Sequence, residues 1–169
     1  MANARPFLYG LKDIDQYIRL KHLREKEELE SLCTQFFAAL DHHDYNHPIF
    51  ENTYPDAVSE KLQDSEIRAI DGLPKCDGLR RGLADVLASH QLLWQQFPEF
   101  RMTVDELSIF VDEKFSLADV LVLFSTHGLP VGRNGKGGLC VLRWLKDGRT
   151  SEWVVKDGMH MQGSMEFSV

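Results

Sequence analysis

Three observations predict an α+β protein. Helical periodicity dominates the first hundred residues, strand alternation dominates the rest, and no linker, repeat or low-complexity tract divides the two. A chain of 169 residues fits one compact domain, and its 43% hydrophobic and 27% charged residues are ordinary globular composition.

Ile14, Tyr17 and Ile18 begin an amphipathic stretch that Leu29, Leu32, Cys33, Phe36, Phe37 and Leu40 continue at three- and four-residue spacing. The charged segment Lys21–Glu30 between them is expected to face water. Asp41–His47 breaks the pattern, and Pro48 opens a short second helix with Ile49, Phe50 and Tyr54 before Pro55 ends it. Val58–Ile70 fits a short edge strand. The third helix is the clearest element: Leu79, Leu83, Val86, Leu87, His90, Leu93, Trp94 and Phe97 fall on one stripe, stopped by Pro98.

Strands follow from Arg101. Leu107, Ile109 and Val111 alternate with polar neighbours, and Asp119–His127 is nearly continuous in apolar and β-branched residues, as suits a strand covered on both faces. Leu139–Leu145 and Ser151–Met161 are joined through Lys146-Asp147-Gly148-Arg149, a hairpin signal. Gly132, Gly135, Gly137 and Gly138 mark the preceding loop. It lacks the context and the Gly-Lys-Ser/Thr ending of a phosphate loop. A curved antiparallel meander wrapped on the third helix would enclose a pocket.

Nineteen Lys and Arg against twenty-six Asp and Glu give a net charge of −7, which argues against nucleic acid and anionic membranes as partners. Apolar runs such as Val120–Phe124 are far shorter than the ~20 residues of a membrane span. The N-terminus lacks a signal-peptide pattern, and Cys33, Cys76 and Cys140 are odd in number and scattered, so a cytoplasmic location with reduced thiols is expected.

Strand parity singles out Asp157. Trp153, Val155, Asp157, Met159 and Met161 share one face, while Glu152, Val154, Lys156 and His160 share the other. A carboxylate among Trp, Val and Met has its pKa raised by desolvation and suits a general acid or base; alternatively, Asp157 ends the strand and caps the turn at Gly158. His127 closes an earlier strand and His90 lies on the helical stripe one turn before Trp94, so a pocket between helix and sheet would gather His127, His90 and Asp157. Each histidine is also compatible with a satisfied core position. Asp41-His42-His43-Asp44 with His47 has the wrong spacing for a metal site and fits a polar helix end, so no metal is expected.

Four segments are similar to one known family. Phe97-Pro98-Glu99-Phe100 with the strand after it, Ser125-Thr126-His127-Gly128, and the hairpin from Leu142 to Trp153 resemble motifs of SnoaL-like polyketide cyclases. So does the spacing from Trp153 to Asp157 and on to Gln162-Gly163. The family is part of the nuclear transport factor two-like (NTF2-like) superfamily, and the likeness covers about residues 29–163. It implies a conical barrel, a strongly curved, mostly antiparallel sheet around N-terminal helices, with residues 1–28 as a helical extension and 29–169 as the barrel domain.

It further implies a cofactor-free cyclase, isomerase or dehydratase acting by acid–base catalysis on a small apolar carbonyl compound, polyketide- or terpenoid-like. Asp157 would be the acid/base, with His127 and His90 beside it. Tyr54, Trp94, Phe124, Trp144, Trp153 and Met159 would line the pocket. A dehydratase of the scytalone type would use His127 and His90 as the working pair. The same fold also serves as a non-catalytic ligand-binding or assembly module. That alternative expects a packed interior, with Asp157 exposed or paired to Arg143. A homodimer is expected, because an open curved sheet can pair its outer face with another copy.

Overall fold

The computed structural model describes residues 7–53, 59–61, 79–112, 114, 116–129 and 137–162. The chain begins with helix α1 (Phe7–Asp41), followed by a 3-10 turn at Pro48–Asn52. Two three-residue strands, β1 (Ser59–Lys61) and β2 (Leu79–Arg81), pair antiparallel with each other, and helix α2 (Gly82–Gln96) follows. The main sheet is an antiparallel meander of β3 (Arg101–Asp112), β4 (Leu117–His127), β5 (Gly137–Lys146) and β6 (Trp153–Gln162), in sequence order. No described helix is long and apolar enough to cross a membrane.

Periodicity places the core. Leu29, Cys33, Phe36, Phe37 and Leu40 form the buried stripe of α1 and pack with Val120 and Val122 of β4, Leu142 and Trp144 of β5, and Trp153 and Val155 of β6. Phe36 meets Phe37 and Phe50 edge to face, with ring centroids 5.6 and 5.2 Å apart, so the 3-10 turn is pinned under the helix. Pro48 supplies the preset φ of that turn, and His47 Nδ1 accepts from Ile49 N at 3.1 Å. In β4 the inward residues Ala118, Val120, Val122, Phe124 and Thr126 are all buried, and their outward neighbours from Leu117 to Ser125 are half-buried.

Two bulges bend the meander, one between Val104 and Glu106 in β3 and one in β6 opposite Arg143 and Trp144. They supply the curvature that lets four strands wrap onto α1.

One boundary is revised. The stripe of the third helix does not reach Leu79, because Gly82 at φ 83° turns the chain from β2 into α2. Of the expected edge strand Val58–Ile70, only Ser59–Lys61 lies within the described residues, and it pairs with β2. The expected β5–β6 hairpin forms, with residues 147–152 as its loop. Asp147 Oδ1 accepts from Arg149 N (2.7 Å) and Thr150 N (3.0 Å), which holds its carboxyl below the usual range, and Ser151 takes the left-handed conformation at φ 63°.

The charged stretch of α1 does not lie wholly in water. Glu25 is buried, accepting from Lys146 Nζ at 2.9 Å, while Lys146 also sits 5.2 Å over the Trp153 ring. This pair ties the helix to the base of the β5–β6 hairpin. Glu25→Ala is expected to cost about 1–2 kcal/mol, since it strands a partly buried ammonium. Urea unfolding reads the loss as a lower midpoint at unchanged slope.

Cys33 is fully buried against α1's partners, and burial pushes its thiol up to about 12, with the Trp144 indole pulling weakly the other way. Its thiol is therefore expected to resist thiol reagents in the folded protein. The unfolded chain loses this proton near pH 9 and the folded one near 12. Stability from this group is therefore whole below pH 9 and declines by up to about 1.4 kcal/mol per pH unit between the two. Unfolding series at increasing pH, repeated on Cys33→Ala, check it: the variant's curve is expected to be flatter.

Candidate functional site

The described polar groups converge where α1 ends. Helix α1 closes in a Schellman turn, with His43 N donating to Leu40 O (3.1 Å) and Asp44 N to Ala39 O (2.9 Å). The residue that takes the left-handed conformation is His43, at φ 59°, where glycine is the usual occupant. Holding a histidine there costs ~1 kcal/mol of backbone strain.

That turn aims the His43 ring into a cluster. It stacks on Trp94 of α2, with centroids 4.4 Å apart, and its Nε2 lies 3.3 Å from Arg101 Nη1. Its Nδ1 is 3.5 Å from Tyr45 Oη, which in turn is 3.2 Å from His90 Nδ1. The His90 ring meets Phe100 at 5.5 Å, nearly edge on. Two further contacts fix the frame. Asp41 Oδ1 accepts from Met102 N at 2.7 Å, joining α1 to the start of β3, and Arg101 Nη1 also donates to Phe100 O at 2.7 Å.

The electrostatics favour neutral rings. Burial pulls the His43 pKa down, Arg101 adds to this, and Asp41 opposes it. Burial likewise pushes the Tyr45 phenol up. Both shifts favour the uncharged forms of the His43 imidazole and the Tyr45 phenol. A chain of such groups can hold an oxygen and exchange protons with it.

The anticipated triad does not assemble. His127 is exposed at the end of β4, directly opposite Arg101. Asp157 lies opposite Arg143, which is itself opposite Asp119, and the Arg143 guanidinium binds the Asp119 carboxylate at 2.8 and 3.2 Å. Arg143 is exposed between buried Leu142 and Trp144, so the row Asp119–Arg143–Asp157 is on the outer face of the sheet. The expectation that Asp157 shares the face of Trp153 and Val155 is therefore corrected. The β6 bulge inserts Lys156 as an unpaired residue, and one extra residue reverses every facing after it. Eight residues of β4 separate the Asp119 row from His127, about 26 Å along the strand.

Among the expected pocket residues, Phe124, Trp144 and Trp153 are buried on the inner face and Trp94 is half-buried in the cluster. Tyr54 lies outside the described residues, and only the backbone of Met159 is described. Sequence reasoning singled out His90 and Trp94 but missed Tyr45, His43 and Arg101 as their partners. The available signal was the polar run after α1, read only as a helix end. Among the described residues no three His, Cys, Asp or Glu side chains are grouped to hold a metal ion.

No protein-family model and no curated protein matches the chain. Solved structures do. An NTF2-like protein with a cystatin-like fold from Novosphingobium aromaticivorans superposes with a TM-score of 0.61 at 13% identity, covering 92% of both chains. LinA gives 0.61 at 11% identity over 86% of this chain and 90% of its own. A putative ketosteroid isomerase from Shewanella frigidimarina gives 0.52 at 14% identity, over 77% and 91%. Helices packed on a curved four-stranded antiparallel meander, matched over most of each of these chains, make this an NTF2-like α+β cone.

Proposed function

We propose that the protein is a cofactor-independent acid–base enzyme of the isomerase or lyase type, acting on a small apolar carbonyl compound of polyketide or terpenoid character. The carrying observation is the hydrogen-bonded chain Arg101–His43–Tyr45–His90, whose imidazole and phenol are both driven towards neutrality. Neutral donors held in place by packing suit an oxygen that gains negative charge as a neighbouring C–H is deprotonated. Asp41 is the carboxylate of the cluster. Met102 N immobilises one of its oxygens and leaves the other as the base. The likeness to SnoaL-like cyclases in the Phe97–Arg101 segment is consistent with this centre, although Asp157 is not part of it.

The test needs no prior substrate. Aromatic and terpenoid ketones are screened for thermal stabilisation, and the binders are incubated with protein in D2O. Proton NMR then follows exchange at the carbon next to the carbonyl. Exchange above the buffer rate supports the reading, and a panel in which no ketone both binds and exchanges overturns it.

A second reading, a non-catalytic dimeric module, draws on the outer face. There Leu121, Leu123, Val141 and Leu145 are half-buried, Phe110 is 60% exposed, and Asp157 stands beside Arg143. A homodimer through this face, in the cytoplasm, is compatible with either reading. A monomeric mass in light scattering would remove it.

A further inference from the structure

We propose that the N-terminal part of α1 is an interfacial docking helix that lays the protein on an anionic lipid surface. Tyr17, Leu20 and Leu23 enter the headgroup layer, and Arg19, Lys21, Arg24 and Lys26 meet its negative charges. The inference is independent of the acid–base centre.

Helix α1 carries two apolar stripes. Leu29, Cys33, Phe36 and Leu40 face the core, and Glu25 is the first buried residue of the helix among the described side chains. From Gln16 to Arg24 every side chain is exposed except that of His22, which is half-buried. A helix without packing partners is marginal in water, yet this stretch is helical and holds large apolar residues. Tyr17, Leu20 and Leu23 are 68%, 49% and 53% exposed. Their three-residue spacing keeps them within an arc of about 120°, and Leu20 stands about 180° from Leu29. The second stripe therefore points away from the core, and packing on the cone does not account for it.

Charge indicates what covers it. The net charge of −7 is unevenly spread: residues 1–26 hold six Lys and Arg against three Asp and Glu, and the other 143 hold thirteen against twenty-three. The basic residues flank the exposed stripe, with Arg19 and Lys26 on one side and Lys21 and Arg24 on the other. Glu25, the acidic residue among them, turns the other way and is bound by Lys146, with Lys21 4.0 Å off. Beyond it Glu27, Glu28 and Glu30 make the helix acidic, which marks where the contact ends. An apolar strip edged by cations fits anionic headgroups above acyl chains, because long basic side chains keep apolar stems and reach outward with their charge. It fits a second copy less well, since the same four cations would meet across a two-fold axis. The helix lies on the bilayer and is not apolar enough to cross it.

Co-sedimentation of the full chain with lipid vesicles tests this. Vesicles of phosphatidylcholine mixed with phosphatidylserine are expected to bind the protein, and vesicles of phosphatidylcholine alone are not. A protein of net charge −7 gains that preference only from a local basic surface. Binding should fade in about 1 M salt, where the screening length is ~3 Å. Leu20→Gln with Leu23→Gln is expected to weaken it at least about tenfold. Arg19→Gln with Arg24→Gln should weaken it roughly 25-fold, at about fivefold per charge. All four side chains are exposed, so melting temperatures should stay at the wild-type value. Equal binding to both kinds of vesicle overturns the proposal, as does binding that both double variants leave intact. Failure to bind either vesicle overturns it too. A self-association in light scattering that persists in salt and is lost in the leucine variant would then give the stripe to a second copy.

Discussion

His90→Phe is expected to slow exchange at the ketone α-carbon by roughly 10²–10³-fold, the usual loss when one oxyanion donor is removed. Phenylalanine keeps a ring against Phe100, so packing changes little and the chemistry is what is removed. The effect should fall on kcat more than on KM, because the donor matters most when the oxygen carries charge. Asp157→Asn is the contrasting variant. Its carboxylate stands in the outer row with Arg143 and Asp119, and exchange is expected to stay at the wild-type rate. A large loss in Asp157→Asn with none in His90→Phe would return the chemistry to the sheet and remove it from the helix ends. Melting temperatures of both variants, measured alongside, separate lost chemistry from lost fold.

That contrast also shows where a sequence stops being informative. The α1 stripe from Leu29 to Leu40 and the alternation in β4 are repeated signals, each residue confirming its neighbours. Class, strand order and core followed from them. Asp157 depended on parity counted along a single strand. Nothing in Trp153-Val154-Val155-Lys156-Asp157 marks Lys156 as a bulge, because the bulge is set by pairing with Arg143 and Trp144 on β5. Glu25 was hidden for a related reason. Its partner Lys146 is on the far hairpin, and one buried carboxylate among the seven charged residues of Lys21–Glu30 has no local signature.

The cluster itself was half legible. His90 and Trp94 showed as an imidazole and an indole on an apolar stripe. Tyr45 meets His90 across 45 positions of sequence, and His43 reaches Trp94 only because the turn after α1 takes a left-handed residue. A Schellman turn normally announces itself by glycine. Here a histidine pays that conformational cost, and its ring is the one that links Arg101 to the phenol.

Gly128→Ala is expected to be the most damaging single methyl group in the described structure, costing about 2–4 kcal/mol. Gly128 follows His127 at φ 74°, a conformation that costs a side-chain-bearing residue ~1–2 kcal/mol. The added Cβ would also land on the Glu99 carbonyl and 2.7 Å from Phe100 N, both rigid backbone, so the loop before β3 must shift, at a further ~1–2 kcal/mol. That loop positions Phe100 against His90 and begins the strand that carries Arg101. Loss of stability and loss of the site should therefore arrive together: a lower urea midpoint, and a His90 resonance moved away from its wild-type position even in the folded fraction. Gly148 supplies the control, since a Cβ there meets nothing within 4 Å. Gly148→Ala should leave both measurements within error of wild type. If Gly128→Ala did the same, the close approach of the β4 end to the Glu99 peptide would be wrong, and with it the frame that holds the His90 ring.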